Sequence, residues 1–455
     1  MRGKAMQVRE TPKVTRLKIS LAVFATVSMA FFVFLSLKFR PIADDYCYTW
    51  FVKTGILHSL ETRYFSEGGN LFETFIVLAQ TGFPLAVFGS EFGSFTAFWL
   101  TLASLGGLLY LLGSHAFPKL HWQDRVSLVA STTTLGWLTF WWLPALFPVL
   151  ERMRPVYMRT AKDIVYWQSM TGQYVLVPSL LLGLAILSLK LPNRVSRIVA
   201  FSIIGICTGA SSLILAGGAL LVVATLIAFA IPLKLQKATQ VVSWFFLAGT
   251  LSGVIFQLLA PGTSSRLVEV NQGVHSGFGE TISRLGISLV QVPLWLGVEL
   301  CNLGLVAAFA FGLIANRVAD ALQAYPSKSK ALKFFWLFAG ASLALLISEK
   351  VTQAFGYFAL WHMTYSRLFL FLASLALGVY FGSHLHGKLI RFLQASALIV
   401  VILGSTYSAA VVATHSLERA ESWPLDAVAQ GDAAEVTASW VMECAVRAGL
   451  VKTNR

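Results

Sequence analysis

The chain has 455 residues, of which 56% are hydrophobic and only 12% are charged, and its mean hydropathy is +0.70. Because soluble domains carry about 25% charged residues, this composition excludes an ordinary cytosolic enzyme and predicts an all-α, polytopic membrane protein. The 35 Lys and Arg residues outnumber the 21 Asp and Glu residues, which gives a net charge of +14. In a soluble protein such an excess of positive charge would suggest a nucleic-acid partner. In a membrane protein the distribution of Lys and Arg orients the chain in the bilayer, so we expect no nucleic-acid partner.

Eleven segments are predicted to cross the membrane, because a spanning helix needs roughly 20 apolar residues. The first, 19–37, follows a basic tail at 1–18 and lacks a small-residue cleavage site, so we expect a retained signal anchor with a cytoplasmic N-terminus. The others lie at 95–113, 127–147, 174–189, 198–212, 213–233, 239–260, 285–315, 332–348, 368–383 and 392–413. The membrane domain thus covers 19–413, with a long outer loop at 40–94 and an outer-face tail at 414–455.

The apolar segment 71–89 has roughly the length of a span but contains Glu73, Gln80 and Pro84. If it does not cross, the N-terminal tail and the predicted inner loops together have a net charge of +16 and the outer segments a net charge of −1. This segregation agrees with the positive-inside rule. We therefore expect a helix that lies on or dips into the outer face. We also expect the protein to lie in the plasma or inner membrane of the cell, with its C-terminus outside the cytoplasm.

Nucleotide and zinc chemistry have no support in the sequence. There is no GxxxxGK[ST] phosphate loop and no GxGxxG between a strand and a helix, and the eight histidines are scattered. We expect no cofactor. Asp44, Asp45 and Glu67 could converge on a divalent metal, but we predict none.

The first candidate site follows the first span at Asp44-Asp45-Tyr46. Adjacent carboxylates repel each other, which favours one competent base that could deprotonate an acceptor hydroxyl. The alternative is an Asp cap on a following helix at 46–60.

The second candidate site is the run from Trp167 and Gln168 to Tyr174. Aromatic rings with amide and hydroxyl groups offer a sugar both a flat apolar face and directional hydrogen bonds. An ordinary aromatic belt at the membrane interface is the alternative.

Basic residues near predicted span ends could bind phosphate. The Pro261-Gly262 turn places Thr263 before Arg266, an arrangement that can direct backbone N–H groups and a guanidinium at an anion. Lys350 and Arg367 flank another outer loop. The alternative for the Pro261-Gly262 region is a turn that simply ends a helix. The alternative for Lys350 and Arg367 is that their side chains extend from the ends of spans to the membrane surface. Glu299, inside a span, is expected to be a buried structural partner.

These motifs together resemble the GT-C class of glycosyltransferases, and more closely its bacterial multispanning members. The resemblance comprises the first span, the Asp44-Asp45-Tyr46 element, the membrane-lying helix, the Trp-rich loop and the Pro261-Gly262 turn with Arg266. It implies a polyprenyl-phosphate-linked sugar as donor and an acidic residue of the first outer loop, Asp44 or Asp45, as base. It also implies that Arg266 and Arg367 bind the donor phosphate. The chain has Gln173 and Thr263 where that class more often has Asn.

The sequence thus predicts transfer of a sugar, with inversion, to a glycan, lipid or protein acceptor outside the cytoplasm. A transporter or flippase of a lipid-linked or anionic substrate is one alternative, and an oligosaccharide ligase or polymerase is another. Cys47 and Cys444 would share the outer side. Since sequence fixes no distance between them, we do not predict a disulfide bridge.

Overall fold

The computed structural model describes residues 12–448 apart from 40, 42–43, 144–167, 230–236, 264–277, 325–326, 356–362, 386 and 423–442. These residues form helices, and no β-strand occurs among them. The first nine helices are α1 (Pro12–Ser36), α2 (Asp44–Thr54), α3 (Ile56–Thr62), α4 (Leu71–Val77), α5 (Phe83–Ala116), α6 (Trp122–Ser131), α7 (Trp137–Trp142), α8 (Gln168–Thr171) and α9 (Val177–Ser188). The next are α10 (Arg194–Gly209), α11 (Leu213–Ala228), α12 (Lys237–Leu258), α13 (Phe278–Leu300), α14 (Leu303–Ala321), α15 (Lys328–Ala354), α16 (Met363–His384) and α17 (Lys388–Ser422).

The all-α, multi-pass membrane architecture expected from the composition is confirmed. Within the described part of the chain, eight helical segments are long and apolar enough to cross a bilayer. They are Lys18–Ser36, Leu71–Ala116, Thr239–Leu258, Gly279–Leu300, Leu303–Ala321, Lys328–Ala354, Tyr365–His384 and Lys388–Thr414. Two shorter apolar helices, Gly172–Ser188 and Leu213–Ala228, accompany them. The predicted total of eleven spans stays a prediction.

The single span predicted at 285–315 is wrong, because two helices replace it. Helix α13 ends at Leu300, and α14 begins at Leu303 after Asn302, whose side chain accepts a hydrogen bond from the Gly304 N–H. An Asn in this position satisfies a backbone donor that a helix terminus otherwise leaves without a partner. Asn302 therefore marks the start of α14, although it lies within an apolar run.

The segment 71–88, which includes the first residues of α5, folds back against the part of α5 that follows Gly89. A Cβ placed on Gly93 would lie 2.6 Å from the Leu85 Cα, and the Gln80 amide donates to the Ala97 carbonyl at 2.9 Å. The reversal occurs at Gly89, where φ is 74° and ψ is −173°, a conformation that is easily reached only without a Cβ. The segment expected to lie on or dip into the outer face is thus one arm of a helical hairpin.

Helices α10 and α12 run parallel in close backbone contact. Both carry a GxxxG motif, Gly205 to Gly209 and Gly249 to Gly253, and a Cβ on Gly209 would lie only 2.2 Å from the Thr250 carbonyl oxygen. Small residues at this spacing let apolar helices approach closely in a membrane. The two helices finish at the same end of the bundle.

We call this end the site end, where α10, α12 and α15 finish and α11 and α16 begin. At the opposite end, α5 finishes beside the start of α15, and the Ser327 N–H donates to the Ala116 carbonyl at 2.8 Å. The largest apolar core lies between them and contains Leu105, Trp137, Tyr174 and Phe371.

Candidate functional site

The site end begins with the turn that leads into α4. The Phe72 N–H donates to the Ala210 carbonyl at 3.0 Å, which fixes α4 against the end of α10. The Gly69 N–H donates to the Thr263 hydroxyl at 3.0 Å, and this hydroxyl donates to the Gln257 carbonyl at 2.8 Å. Thr263, a predicted substrate ligand, therefore links α12 to the turn before α4.

Glu73, in the first turn of α4, is the central carboxylate of this end. Its Oε2 accepts a 2.8 Å hydrogen bond from the Tyr365 hydroxyl, and its Oε1 accepts one of 3.3 Å from the Asn70 amide. Glu73 is 4% exposed and Tyr365 is fully buried. A buried carboxylate is tolerated where such donors satisfy it. Tyr365 also packs edge-to-face against Tyr174, a predicted sugar contact, with 4.7 Å between the ring centroids.

Asp45, a predicted catalytic residue, is fully buried, and its Oδ1 accepts a 2.7 Å hydrogen bond from the Ser169 N–H. Ser169 lies in the first turn of α8, which continues through a π-helical turn at Gly172–Leu176 into α9. A carboxylate at a helix N-terminus is stabilised by the free N–H groups and by the helix dipole. The alternative of an Asp cap on a following helix at 46–60 is wrong for Asp45, because this residue lies inside α2 and its carboxylate contacts α8, far along the chain.

Tyr48, on the same helix as Asp45, makes polar contacts with Gln173 and with Arg63, which directly follows α3. The Tyr48 hydroxyl accepts hydrogen bonds from the Gln173 amide at 3.1 Å and from the Arg63 guanidinium at 3.3 Å. The guanidinium carbon of Arg63 also lies 5.3 Å from the centroid of the Tyr48 ring, within the range of a cation–π contact. These contacts join the first loop to the helix that carries Tyr174.

Arg367, a predicted phosphate ligand, is buried in a bidentate ion pair. Its Nε and Nη2 each lie 2.8 Å from a carboxylate oxygen of Glu299, and its guanidinium carbon lies 5.3 Å from the Trp141 ring centroid. The arginine is 3% exposed and the glutamate 2%. The expectation that Glu299 is a buried structural partner is confirmed by this pair.

Lys350, the other described phosphate candidate, is also buried and paired. Its Nζ lies 3.7 Å from Oε1 of Glu349 and donates to the Gln353 amide oxygen at 2.9 Å. It also lies 5.2 Å from the Trp295 ring centroid. Glu349 lies near enough to Glu299 and Arg367 for their charges to interact with its carboxyl group. The two ion pairs therefore form one neighbouring group of charges, which we call the charge quartet: Glu299, Glu349, Lys350 and Arg367.

Buried donors at the site end without an acceptor among the described residues include two that adjoin predicted site residues. They are the indole N–H of Trp141, which underlies Arg367, and the hydroxyl of Ser169, whose backbone holds Asp45. Buried polar groups are nearly always satisfied, so exceptions often occur where a ligand or water binds.

Tyr46 is fully buried in an apolar cluster with Tyr48, Val77, Cys444 and Ala445. Contrary to the sequence analysis, Cys47 and Cys444 form a disulfide bridge. The helical turn at 443–448 is held further by Arg447, stacked over Trp50 at 4.9 Å, and by a hydrogen bond from Lys53 to the Ala448 carbonyl. This segment covers α2 at Cys47, Trp50 and Lys53.

The remaining predicted residues cannot be placed within the network. Arg266 and Trp167 lie outside the described residues, as do the side chains of Asp44, Glu67 and Gln168. No group of three or more His, Cys, Asp or Glu side chains suited to a metal ion occurs in the described part. That part omits two of the three acids considered for a divalent metal.

The network contains functional candidates that the sequence reasoning did not assign. Glu73 is a polar residue in an apolar segment, and this unusual position is the feature of the sequence that indicates a functional residue. Glu349 opens the same outer loop as Lys350. Gln173 lies within the predicted run that ends at Tyr174. No sequence feature of their own indicates a function for Tyr365 and Arg63, apart from their nearness to the motifs.

No protein-family model matches this chain, and no curated protein or solved structure matches it. The resemblance to the GT-C class therefore depends on the short motifs described above.

Proposed function

We propose that the protein is a membrane glycosyltransferase that uses a polyprenyl-phosphate-linked sugar, with its site at the end of the bundle described above. The observation that carries the proposal is one continuous set of contacts at that end. It links Asp45 through α8 and Tyr174 to Tyr365 and Glu73, and continues along α16 to Arg367 and the charge quartet. Acids, aromatic hydroxyl groups and cations are the side chains that this reaction needs.

In the proposed reaction, a carboxylate of Asp44 or Asp45 takes the proton of an acceptor hydroxyl. The acceptor oxygen bonds to the anomeric carbon as the bond from that carbon to the phosphate oxygen breaks, so the configuration inverts. The polyprenyl phosphate leaves with the bonding electrons. Negative charge develops on this phosphate, where Arg266, Arg367 and Lys350 would stabilise it.

The structure suggests how roles would be divided among the acids. The N–H of Ser169 holds the Asp45 carboxylate against the start of α8, which makes Asp45 a good positioning group for that helix. Asp44 is then the stronger candidate for the base. Glu73 is a third carboxylate at this end and would orient the Tyr365 hydroxyl toward the sugar.

The unsatisfied Trp141 N–H supports a phosphate beside Arg367. A phosphate oxygen is a strong acceptor and would satisfy this donor while sharing the guanidinium with Glu299. No nucleotide is needed, because the lipid phosphate is itself the leaving group.

A transporter or flippase of a lipid-linked anion is the second candidate, and the charge quartet favours it. All four charges lie in candidate membrane-crossing helices or next to their ends, and intramembrane charges often mark transport paths. The contacts of Asp45 and Glu73 with aromatic hydroxyl groups and amides favour the transferase.

The test is to incubate the purified protein with a polyprenyl-phosphate sugar labelled in the sugar, and to supply membrane extract as the source of acceptor. We expect label in a product that no longer carries phosphate, and a strong loss of transfer in Asp44→Asn. Asp320→Asn, an exposed acid at the opposite end, is the matched control. Movement of intact labelled lipid across liposomes without cleavage would instead establish the transporter, and a product lengthened by a whole oligosaccharide would indicate a ligase or polymerase.

A further inference from the structure

An apolar cavity lies at the opposite end of the bundle from the candidate site. Its volume is about 80 Å³, and it is surrounded by α5, α6, α14, α15 and α16. Its walls include Leu112, Leu128, Ala315, Phe334 and Leu372.

The depth of the cavity suits part of a lipid chain. On α5 the walls run from Leu109 to Ala116, and on α15 from Ala331 to Phe338. Seven helical steps of 1.5 Å make each wall about 10 Å long. One leaflet has a hydrocarbon thickness of about 15 Å, so a chain that enters from the surface would be enclosed over most of its own leaflet.

Arg125 carries the one charge among the described residues that line this cavity. Its stem lies along Gly113, and its Nη2 donates to the carbonyls of Leu120 at 2.8 Å and Phe117 at 3.2 Å. Its Nε–H is buried and has no acceptor in the described part of the chain. The neighbouring acid, Asp124, faces Lys18 at 3.7 Å instead. Arg125 thus keeps its positive charge without a described carboxylate partner.

The rim adds further positive charge. Exposed basic residues stand on the loop after α5, at the end of α14 and at the start of α15: Lys119, Arg317, Lys328, Lys330 and Lys333. Arg317 lies 4.0 Å from Asp320 in an exposed pair. Arg125 and the four lysines of the rim therefore favour the binding of an anion at the mouth of the apolar cavity.

We propose that this cavity binds a hydrocarbon chain of an anionic phospholipid, with the lipid phosphate held by Arg125 and the lysines that begin α15. Water does not suit the cavity because its walls offer few polar partners. A neutral lipid would fill the slot but leave the rim charges without partners. This site is separate from the proposed glycosyl-transfer site, so its occupancy and the transfer reaction can be tested independently.

The primary test is native mass spectrometry of the full chain, taken from mixed micelles with equal amounts of phosphatidylglycerol and phosphatidylcholine. We expect phosphatidylglycerol to remain bound preferentially. Arg125→Gln should lower its retention about fivefold, as expected for one charge near the membrane surface, whereas Arg125→Lys should retain most of it. Arg317→Gln, which removes a rim charge that is already paired with Asp320, is the matched control.

Cavity filling separates a bound chain from a headgroup held at the surface. Ala376→Phe should exclude the chain and abolish retention without changing the charge. Equal retention of the two lipids by the native chain, or unchanged retention in both Arg125→Gln and Ala376→Phe, would overturn the proposal.

A second measurement needs no variant and therefore does not depend on variant folding. Phosphatidylglycerol with a photoreactive group midway along one chain is incorporated into nanodiscs with the native protein and then irradiated. Crosslinks should map to α5, α15 and α16 around Leu112, Phe334 and Leu372. Crosslinks spread over all lipid-facing helices would show ordinary annular lipid and refute the site.

Discussion

The Tyr365 hydroxyl donates a 2.8 Å hydrogen bond to the Glu73 carboxylate, and the two residues lie 292 positions apart in the chain. The bond connects the helical hairpin at 71–116 to the first turn of α16. Because Arg367 follows two residues later, it also sets the position of the charge quartet relative to the acids of the first loop.

Removal of the Tyr365 hydroxyl should destabilise the fold by about 1–3 kcal/mol, because Glu73 stays buried and loses a donor. We expect Tyr365→Phe and Glu73→Gln to be non-additive in thermal unfolding in detergent, with a coupling of about 0.5–3 kcal/mol. Tyr407→Phe, an exposed tyrosine on α17, is the control and should have little effect. Additive effects of the two site variants would show that the hydrogen bond contributes little.

Breaking the Glu299–Arg367 pair should be costly. Glu299→Ala leaves a buried guanidinium without its bidentate partner, and we expect a loss of about 3–5 kcal/mol in the free energy of unfolding. The matched control is Glu280→Ala on the same helix, which breaks a pair with Arg284 that is about half exposed. Such surface pairs contribute about 0–1 kcal/mol. Comparable losses in the two variants would contradict the proposed importance of the buried pair.

The disulfide between Cys47 and Cys444 can be tested with a protease site inserted at 423–442. After cleavage, the native chain should migrate as one species on a non-reducing gel and as two after reduction. Cys47→Ser should give two species in both gels, whereas Cys207→Ser should behave like the native chain because Cys207 is a free thiol. Two species from the native chain without reductant would show that the bridge does not form. Since disulfides persist in oxidising compartments, a positive result would also support placement of α2 outside the cytoplasm.

The α10–α12 contact predicts a sharp difference between two glycine substitutions. Gly209→Ala places a methyl group against the Thr250 carbonyl and should cost about 1–3 kcal/mol, because the two backbones must separate. Gly340→Ala on α15 meets no atom within 4 Å and should be neutral or stabilising, since alanine favours a helix by about 0.5–1 kcal/mol. Thermal unfolding checks both. Since Ala210 accepts the Phe72 N–H, the first variant should also lower any transfer activity.

The helical membrane class followed directly from composition, because bilayers admit only backbone that satisfies its own hydrogen bonds. Helix boundaries were less predictable where a local signal competed with hydropathy. Asn302 interrupts an apolar run and starts a new helix, whereas hydropathy averaged over 285–315 favours a single span. At Gly89, by contrast, the chain turns where the predicted segment 71–89 ends, before the span predicted at 95–113.

The candidate site was predictable in its residue types but not in its pairings. Arg367 and Lys350 stood out because cations are rare in this chain, yet their partners Glu299 and Glu349 become neighbours only through helix packing. The same holds for Asp45 and Ser169, 124 residues apart. Sequence spacing contains no information about such long-range contacts, and it gave no basis for joining Cys47 to Cys444.

The cover formed by the C-terminal segment has a consequence for biosynthesis. Cys444 and Ala445 complete the cluster around α2, but they follow Cys47 by almost four hundred residues. At about 5–20 residues per second, the ribosome needs roughly 20–80 s to make the intervening chain. During this interval α2 has left the ribosome while the segment that covers it does not yet exist, so a translation product that stops before residue 444 would leave Cys47 and Trp50 without this cover.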